Sequence, residues 1–209
     1  MTKKSAWLAA AAAGICLLAT ACGGAPGGEK DFLSFEGLLL RDTSVLVTAS
    51  KEDQLPKGQL ISLTFPEGTE IPGVGSLYRY SVGSALRESW PMQGDVEAVE
   101  EVEALAGHTL ITFDTAEAIL QHLPEHAYLI DVRTPLEYES GYVSGAINIS
   151  VDQIEAAILT AVPDKADVVI LYCRTGNRSA QAAKLLEELG YLVILDAGGV
   201  KSYKGELVL

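Results

Sequence analysis

The sequence predicts an α/β fold, in which a parallel sheet flanked by helices is preceded by a small antiparallel β-barrel or sheet domain. Before about residue 90, short alternating apolar runs are separated by clusters of Pro, Gly and Asp, which is typical of antiparallel strands. After about residue 107, strand-like and helix-like segments alternate, which favours a parallel sheet. A chain of 209 residues with 48% apolar residues is long enough to bury a core in each part.

The first 21 residues have the pattern of an export signal. A short basic region precedes an uncharged apolar run from Trp7 to Ala21, which is shorter than the roughly 20 residues that a membrane-spanning helix needs. Residues 18–23, LATACG, resemble the lipobox of bacterial lipoproteins. The resemblance implies that Cys22 is diacylated, which would anchor the exported protein to the extracytoplasmic face of the cell membrane. Ordinary cleavage that leaves Cys22 free is the alternative.

Residues 22–30 are rich in Gly and are expected to form a flexible tether. Residues 31–106 are expected to form the small β domain. They resemble small β-barrel modules of the oligonucleotide/oligosaccharide-binding (OB) type in Gram-positive lipoproteins, through the run Gly37–Thr48 and the closing segment Glu88–Pro91. This resemblance implies a fold and no activity. We expect Trp90 to pack at a sheet end, with stacking on a ligand as the alternative.

Residues 107–209 carry the alternating elements, so a domain boundary is predicted near residue 107. The first helix is expected to be capped by Asp114 or Thr115. The run Asp167–Tyr172 is apolar after its first residue, as in a strand buried on both faces. This strand leads directly into Cys173.

Charge and cysteine usage exclude several classes of function. The formal net charge of −13 opposes binding to nucleic acid. Three cysteines and three histidines without paired spacing do not predict a metal site, and no cofactor is expected. If Cys22 is acylated and the export signal is removed, Cys173 is the only thiol left. A lone thiol in an exported protein suggests chemistry or an intermolecular partner.

The loop CRTGNRS, residues 173–179, carries the candidate chemistry. It is predicted to lie where a buried parallel strand turns into a helix, which is where α/β sheets place their ligand sites. Backbone N–H groups of such a loop converge and favour negative charge, so we expect Cys173 to be a thiolate. Arg174 and Arg178 add positive charge on either side, and Gly176 lets the loop close without a Cβ.

Residues 107–209 resemble a single rhodanese domain. The motifs that carry the resemblance are LIDVR at residues 129–133 followed by Glu137 and Tyr138, Gly141 followed by GAINI at residues 145–149, the loop of residues 173–179, and Gly198-Gly199. The resemblance implies a sulfurtransferase. The Cys173 thiolate would attack the outer sulfur of a donor such as thiosulfate, release sulfite and hold a persulfide. A thiol or another thiophilic acceptor would then take this sulfur.

The resemblance also implies site residues around Cys173. Five residues would cradle the persulfide and bind substrate: Arg174, Thr175, Gly176, Asn177 and Arg178. Asp131 and Arg133 resemble the family's charged pair, either as a structural ion pair that holds the loop over the sheet or in direct catalysis. The C-x4-R spacing is one residue shorter than the C-x5-R of related phosphatase-like domains, which favours sulfur over phosphate. Tyr142 and Tyr203 depart from the family's usual His and Trp.

Two alternatives to a membrane-anchored sulfurtransferase stay open. The fold could serve as a non-enzymatic binding module or persulfide carrier, or the lone thiol could be a redox sensor that pairs with another protein's cysteine. The expected partners are a small sulfur donor, a thiol acceptor and the membrane through Cys22, with no nucleic acid.

Overall fold

The computed structural model describes residues 32–50, 55–83, 85–102 and 108–209. The predictions for the export signal at residues 1–21, the tether, Cys22 and the domain boundary near residue 107 lie outside the described residues.

Five strands in the first part of the chain form a closed barrel. They are β1 (Phe32–Leu39), β2 (Ser44–Ser50), β3 (Leu60–Thr64), β4 (Leu77–Gly83) and β5 (Met92–Glu101). Their order around the barrel is β1-β2-β3-β5-β4, and β4 closes the barrel by pairing with β1. The pairs are antiparallel except β3 with β5, which run parallel. The small β domain predicted from the sequence is therefore a barrel and not an open sheet.

Apolar side chains that alternate along the strands fill the barrel. Phe35 and Tyr80 are almost fully buried, and their ring centroids are 5.6 Å apart. Trp90 is 61% exposed, so the prediction that it packs at a sheet end is wrong. The residue lies in the bend just before β5, outside the paired strands that enclose the barrel core.

The second part of the chain is a parallel α/β sheet, as predicted. Its strands are β6 (Thr109–Leu110), β7 (Ala127–Asp131), β8 (Ile147–Asn148), β9 (Val168–Cys173) and β10 (Val193–Gly199), and their order is β6-β10-β9-β7-β8. All of the pairs are parallel. The helices are α1 (Phe113–His122), α2 (Pro135–Glu139), α3 (Ile154–Ala161) and α4 (Asn177–Glu188), and a short 3₁₀ helix covers Val200–Ser202.

Strand β9 is the central strand, and each of its residues is at most 1% exposed. Ile170 and Tyr172 belong to the core on the α1 face of the sheet, whereas Leu171 and Cys173 belong to the core on the α3 and α4 face. This alternation is what a strand covered on both faces requires. It delivers Cys173 to the carboxyl end of the sheet.

Helix α1 begins earlier than the sequence predicts. Its N-cap is Thr112, whose side-chain oxygen accepts a hydrogen bond from the backbone N–H of Thr115 at 3.1 Å. The prediction of a cap at Asp114 or Thr115 is wrong. Phe113 already lies in the helix and is buried, so the first turn forms where this ring enters the core.

The barrel and the α/β sheet share a core. Leu38, Leu40, Leu46 and Leu60 of the barrel belong to the same buried cluster as the inner face of α1. Polar contacts continue this interface: Ser44 Oγ lies 2.7 Å from His122 Nε2, and Arg41 pairs with Asp164 and Asp167. Within the part of the chain that the structure describes, no helix is long and apolar enough to cross a membrane.

Candidate active site

Cys173 is the last residue of β9, and residues 174–176 connect it to α4. Gly176 is the N-cap of α4 and has a left-handed backbone with φ of 100°, which glycine adopts without the strain that a Cβ brings. No side chain caps this helix. The N–H of Gly176 instead donates a hydrogen bond to Cys173 Sγ at 3.1 Å. The loop is therefore wrapped around the sulfur.

The electrostatics of the loop favour the thiolate. Burial raises the pKa of the Cys173 thiol, but hydrogen bonds from the backbone N–H groups of Ser179, Thr175 and Gly176 more than offset this, and the pKa lies below its ordinary value. These donors belong to the loop and to the first turn of α4, where helix N–H groups have no intrahelical partner. The sulfur itself is almost fully buried, because Cys173 is only 1% exposed. The thiol is therefore shielded from bulk solvent.

The side chains of the loop residues face outward. Arg174, Thr175 and Asn177 are exposed, so their backbones line the loop while their side chains remain free for contacts at the rim. Ser179 is buried, and its hydroxyl donates to the carbonyl of Gly176 at 2.9 Å, which ties the first turn of α4 to the loop.

Arg178 lies in the first turn of α4 beside the sulfur. Hydrogen bonds with Glu137 and the charge of Cys173 hold the pKa of its guanidinium above the ordinary value. Glu137 is in α2, and its carboxylate accepts from Arg178 Nη1 at 2.6 Å and from Arg178 Nη2 at 2.8 Å. The Arg178 guanidinium holds the pKa of Glu137 at about 2. Both groups are therefore charged at neutral pH.

The segment that follows β10 packs against the loop. An added Cβ on Gly199 would lie 2.8 Å from the carbonyl oxygen of Arg174 and from the Cα of Thr175, so the two backbones are too close for any side chain there. Asp196 holds this segment, since its carboxylate accepts a hydrogen bond from the N–H of Gly198 at 2.7 Å. The Gly198-Gly199 pair thus supports one side of the loop.

Asp131 and Arg133 form a buried ion pair at the end of β7. Arg133 Nη2 lies 2.6 Å from Asp131 Oδ2, and the two residues are 5% and 0% exposed. The same nitrogen donates to the carbonyl of Gly141 at 2.8 Å. The guanidinium is therefore bound to the turn after α2, and the pair ties this turn to the sheet.

Comparison with known proteins identifies the second part of the chain. The family model of the rhodanese-like domain matches residues 112–206. Thiosulfate sulfurtransferase PspE of Escherichia coli (strain K12) is 46% identical over 88 residues, which cover 41% of this chain and 85% of that protein. The chain belongs to the rhodanese-like family.

Two further relatives match the rhodanese-like domain over a similar span. The putative sulfurtransferase YtwF of Bacillus subtilis (strain 168) is 37% identical over 82 residues, which cover 39% of this chain and 78% of that protein. A solved structure of rhodanese with anions from E. coli is 44% identical, with a TM-score of 0.38, and the match covers 39% of this chain and 96% of that one. Each of these matches covers less than half of this chain.

The rhodanese-like domain contains contacts that sequence reasoning missed. Glu137 is part of the motif quoted above, but nothing local indicates that its partner is Arg178, 41 residues further along the chain. Tyr142, which stands where the family usually has His, stacks on Tyr138 with ring centroids 4.1 Å apart. Tyr203, which replaces the family's Trp, packs against Phe113 at 5.1 Å. Both replacements therefore keep an aromatic contact.

His122 and His126 form hydrogen bonds with residues outside the loop of residues 173–179. His122 pairs with Ser44 of the barrel, and His126 Nδ1 lies 2.9 Å from Asp167 Oδ1. Burial lowers the pKa of His122, and the charge of Asp42 partly opposes this. Across the described ranges, no group of three or more His, Cys, Asp or Glu side chains is arranged to hold a metal ion.

Proposed function

We propose that this protein is a sulfurtransferase that moves sulfane sulfur from a donor such as thiosulfate to a thiol acceptor through a persulfide on Cys173. The observation that carries the proposal is the Gly176 N–H at 3.1 Å from Cys173 Sγ, within a set of backbone donors that lowers the pKa of the thiol. A thiolate is the form of cysteine that attacks sulfur. The names of the relatives in two bacteria support the same chemistry.

The reaction has two steps that share one covalent intermediate. The Cys173 thiolate attacks the outer sulfur of thiosulfate, a new S–S bond forms, and sulfite leaves with the electron pair of the broken S–S bond. The terminal sulfur of the resulting persulfide is an anion, and the loop N–H groups stabilise it. An acceptor thiolate then attacks this terminal sulfur, and the Cys173 thiolate leaves. The kinetics are therefore expected to be ping-pong.

The loop residues supply different parts of the substrate site. In this proposal the backbones of residues 174–178 cradle the transferred sulfur, while the Arg174 and Arg178 guanidinium groups bind the anionic part of the donor. Asp131 and Arg133 act structurally, because their groups are buried against each other and against the Gly141 carbonyl. The C-x4-R spacing supports sulfur rather than phosphate as the group that fits the loop.

A second part of the proposal concerns the place where the reaction occurs. We propose that the protein is exported and anchored at the extracytoplasmic face of the membrane by acylation of Cys22, as the LATACG sequence indicates. When bacterial cells are supplied with labelled palmitate, the wild-type protein should become labelled and Cys22→Ser should not. Equal labelling of both proteins would contradict the anchor. The strand order β1-β2-β3-β5-β4 supports an OB-type barrel, for which no activity is proposed.

A sulfur-transfer assay tests the proposed chemistry. Full-length protein purified in detergent should convert thiosulfate and cyanide to sulfite and thiocyanate, and should gain the mass of one sulfur atom when it is treated with thiosulfate alone. Cys173→Ser should lose both properties, since it lacks the nucleophile. Mass gain without turnover would indicate a persulfide carrier. A folded wild-type protein with neither property would rule out the sulfurtransferase.

A further inference from the structure

Glu137 and Arg178 connect two helices at the mouth of the active-site loop. The pair is bidentate, with Nη–Oε distances of 2.6 Å and 2.8 Å. It joins α2 to the first turn of α4. Two parallel hydrogen bonds fix the plane of a guanidinium as well as its distance. The pair therefore sets the direction in which Arg178 points.

The Glu137 carboxylate is itself held in place from within α2. Its Oε2 atom accepts from the backbone N–H of Thr134 at 3.2 Å and from the Thr134 hydroxyl at 3.0 Å, which completes a capping box at the start of the helix. Pro135 follows at the first helical position and restrains the backbone there. Arg178 is thus tied to a rigid point and not to another mobile side chain.

The Arg178 side chain is partly exposed and would be mobile without the pair with Glu137. This side chain is 30% exposed, and a long side chain at the surface samples many rotamers. The bidentate pair uses one N–H of each Nη atom, so three of the five N–H groups of the guanidinium are not used by the pair. A guanidinium that is already oriented loses less conformational entropy when it binds an anionic ligand.

We infer that Glu137 is a positioning residue for sulfur transfer, which holds the Arg178 guanidinium at the loop mouth where it binds the anionic group of the donor. This inference rests on the proposed function. Glu137 does not contact the reacting sulfur in this arrangement and acts only through Arg178. Because Arg178 also interacts with the charge of Cys173, Glu137 should act mainly on donor binding, with a smaller effect on the thiolate.

The main test is the division of the effect between KM and kcat. Glu137→Ala should raise KM for thiosulfate about tenfold, while kcat at saturating thiosulfate changes by less than about threefold. Glu139→Ala is the matched control, because it removes an exposed carboxylate from the same helix. Thr134→Val removes the hydroxyl that helps to hold the Glu137 carboxylate and keeps the Glu137 side chain, so it should raise KM by less than Glu137→Ala does. Glu139→Ala should keep a wild-type KM.

A double-mutant cycle tests whether Glu137 acts through Arg178. Adding Glu137→Ala to Arg178→Ala should produce no further rise in KM beyond that of Arg178→Ala alone. Additive effects would overturn the inference, because Glu137 would then act on the site by a route that does not include the guanidinium. Thermal unfolding of each variant separates these effects from a general loss of structure.

Alkylation of Cys173 provides a readout that needs no turnover. Iodoacetate is an anion and iodoacetamide is neutral, so the ratio of their rates reports how well the loop mouth attracts negative charge. Glu137→Ala should lower this ratio severalfold if Arg178 leaves its position, and Glu139→Ala should not. A ratio that is unchanged or raised in Glu137→Ala would overturn the inference. If the ratio falls in Glu137→Ala but the wild-type protein shows no sulfur transfer, the positioning of Arg178 by Glu137 is supported and the proposed function is rejected.

Discussion

Helices α1 and α4 begin in two different ways, although each follows a strand of the same parallel sheet. The start of α1 is closed by Thr112, whose side-chain oxygen accepts the N–H of Thr115. The start of α4 has no side-chain cap, because its N-cap is Gly176. Its donors turn instead to the Cys173 sulfur. At the start of α4, backbone donors that no side chain caps are directed at Cys173, as helix N-termini can be towards an anion.

Helix α2 extends this comparison. Thr134 and Glu137 satisfy its first turn reciprocally in a capping box, and Glu137 then uses its remaining capacity on Arg178. We expect the capped starts of α1 and α2 to contribute to stability and the open start of α4 to lower the pKa of Cys173. Substitutions at the two kinds of helix start should therefore affect different measurements.

The largest effect is expected from placing a negative charge at the open start of α4. Gly176→Asp has space for its Cβ, since no atom outside the neighbouring residues lies closer than 3.8 Å. The φ of 100° strains any side chain there, although Asp and Asn adopt positive φ more readily than most residues. A carboxylate roughly 6 Å from the sulfur opposes the thiolate by about 2–3 kcal/mol at an effective dielectric of about 20, which corresponds to about two pKa units. We expect kcat/KM to fall about 100-fold at neutral pH.

The pH dependence of iodoacetamide alkylation measures this effect directly. The reaction needs the thiolate, so its rate rises with pH through the pKa of Cys173. Because that pKa lies below its ordinary value in the wild-type loop, the midpoint should be lower than that of an ordinary thiol. Gly176→Asp should shift the midpoint upward. Gly176→Asn has the same shape without the charge, and a shift of equal size in this variant would assign the effect to loop distortion.

A smaller effect, on stability alone, is expected from opening the start of α1. Thr112→Ala removes the side-chain acceptor for the Thr115 N–H and should lower the free energy of unfolding by about 1 kcal/mol. The alkylation midpoint of Cys173 should not move, because Thr112 lies at the start of another helix. Denaturant unfolding and alkylation on the same sample check both parts. A shifted midpoint would show that the two helix starts are not independent.

The strand, loop and helix start around Cys173 are predicted well from the sequence because their determinants are local. The apolar run that ends at Tyr172, the cysteine after it and the glycine and arginines that follow are adjacent in the chain, and they specify a strand, a tight loop and a helix start. The parallel sheet follows from the alternation of such segments.

The predictions that failed, and the contacts that were missed, depend on tertiary structure. Asp114 is as good a cap as Thr112 on local grounds, and the burial of Phe113 decides between them. Trp90 has a large aromatic side chain of the kind that usually packs in a core, but its place in the bend before β5 leaves it exposed. The partner of Glu137 lies on another helix, and closure of the barrel depends on pairing β1 with β4.

The barrel and the sheet are different architectures, but some hydrophobic residues of the barrel belong to the core of the sheet. Leu46 lies in a barrel strand, yet it is buried in the cluster that contains Ile119 of α1 and Tyr172, the residue before Cys173. A change in side-chain volume at Leu46 therefore also alters the packing of the cluster that holds Tyr172, directly before Cys173. In inheritance and in engineering alike, exchanging the barrel for another would require the first helix of the neighbouring half to be redesigned with it.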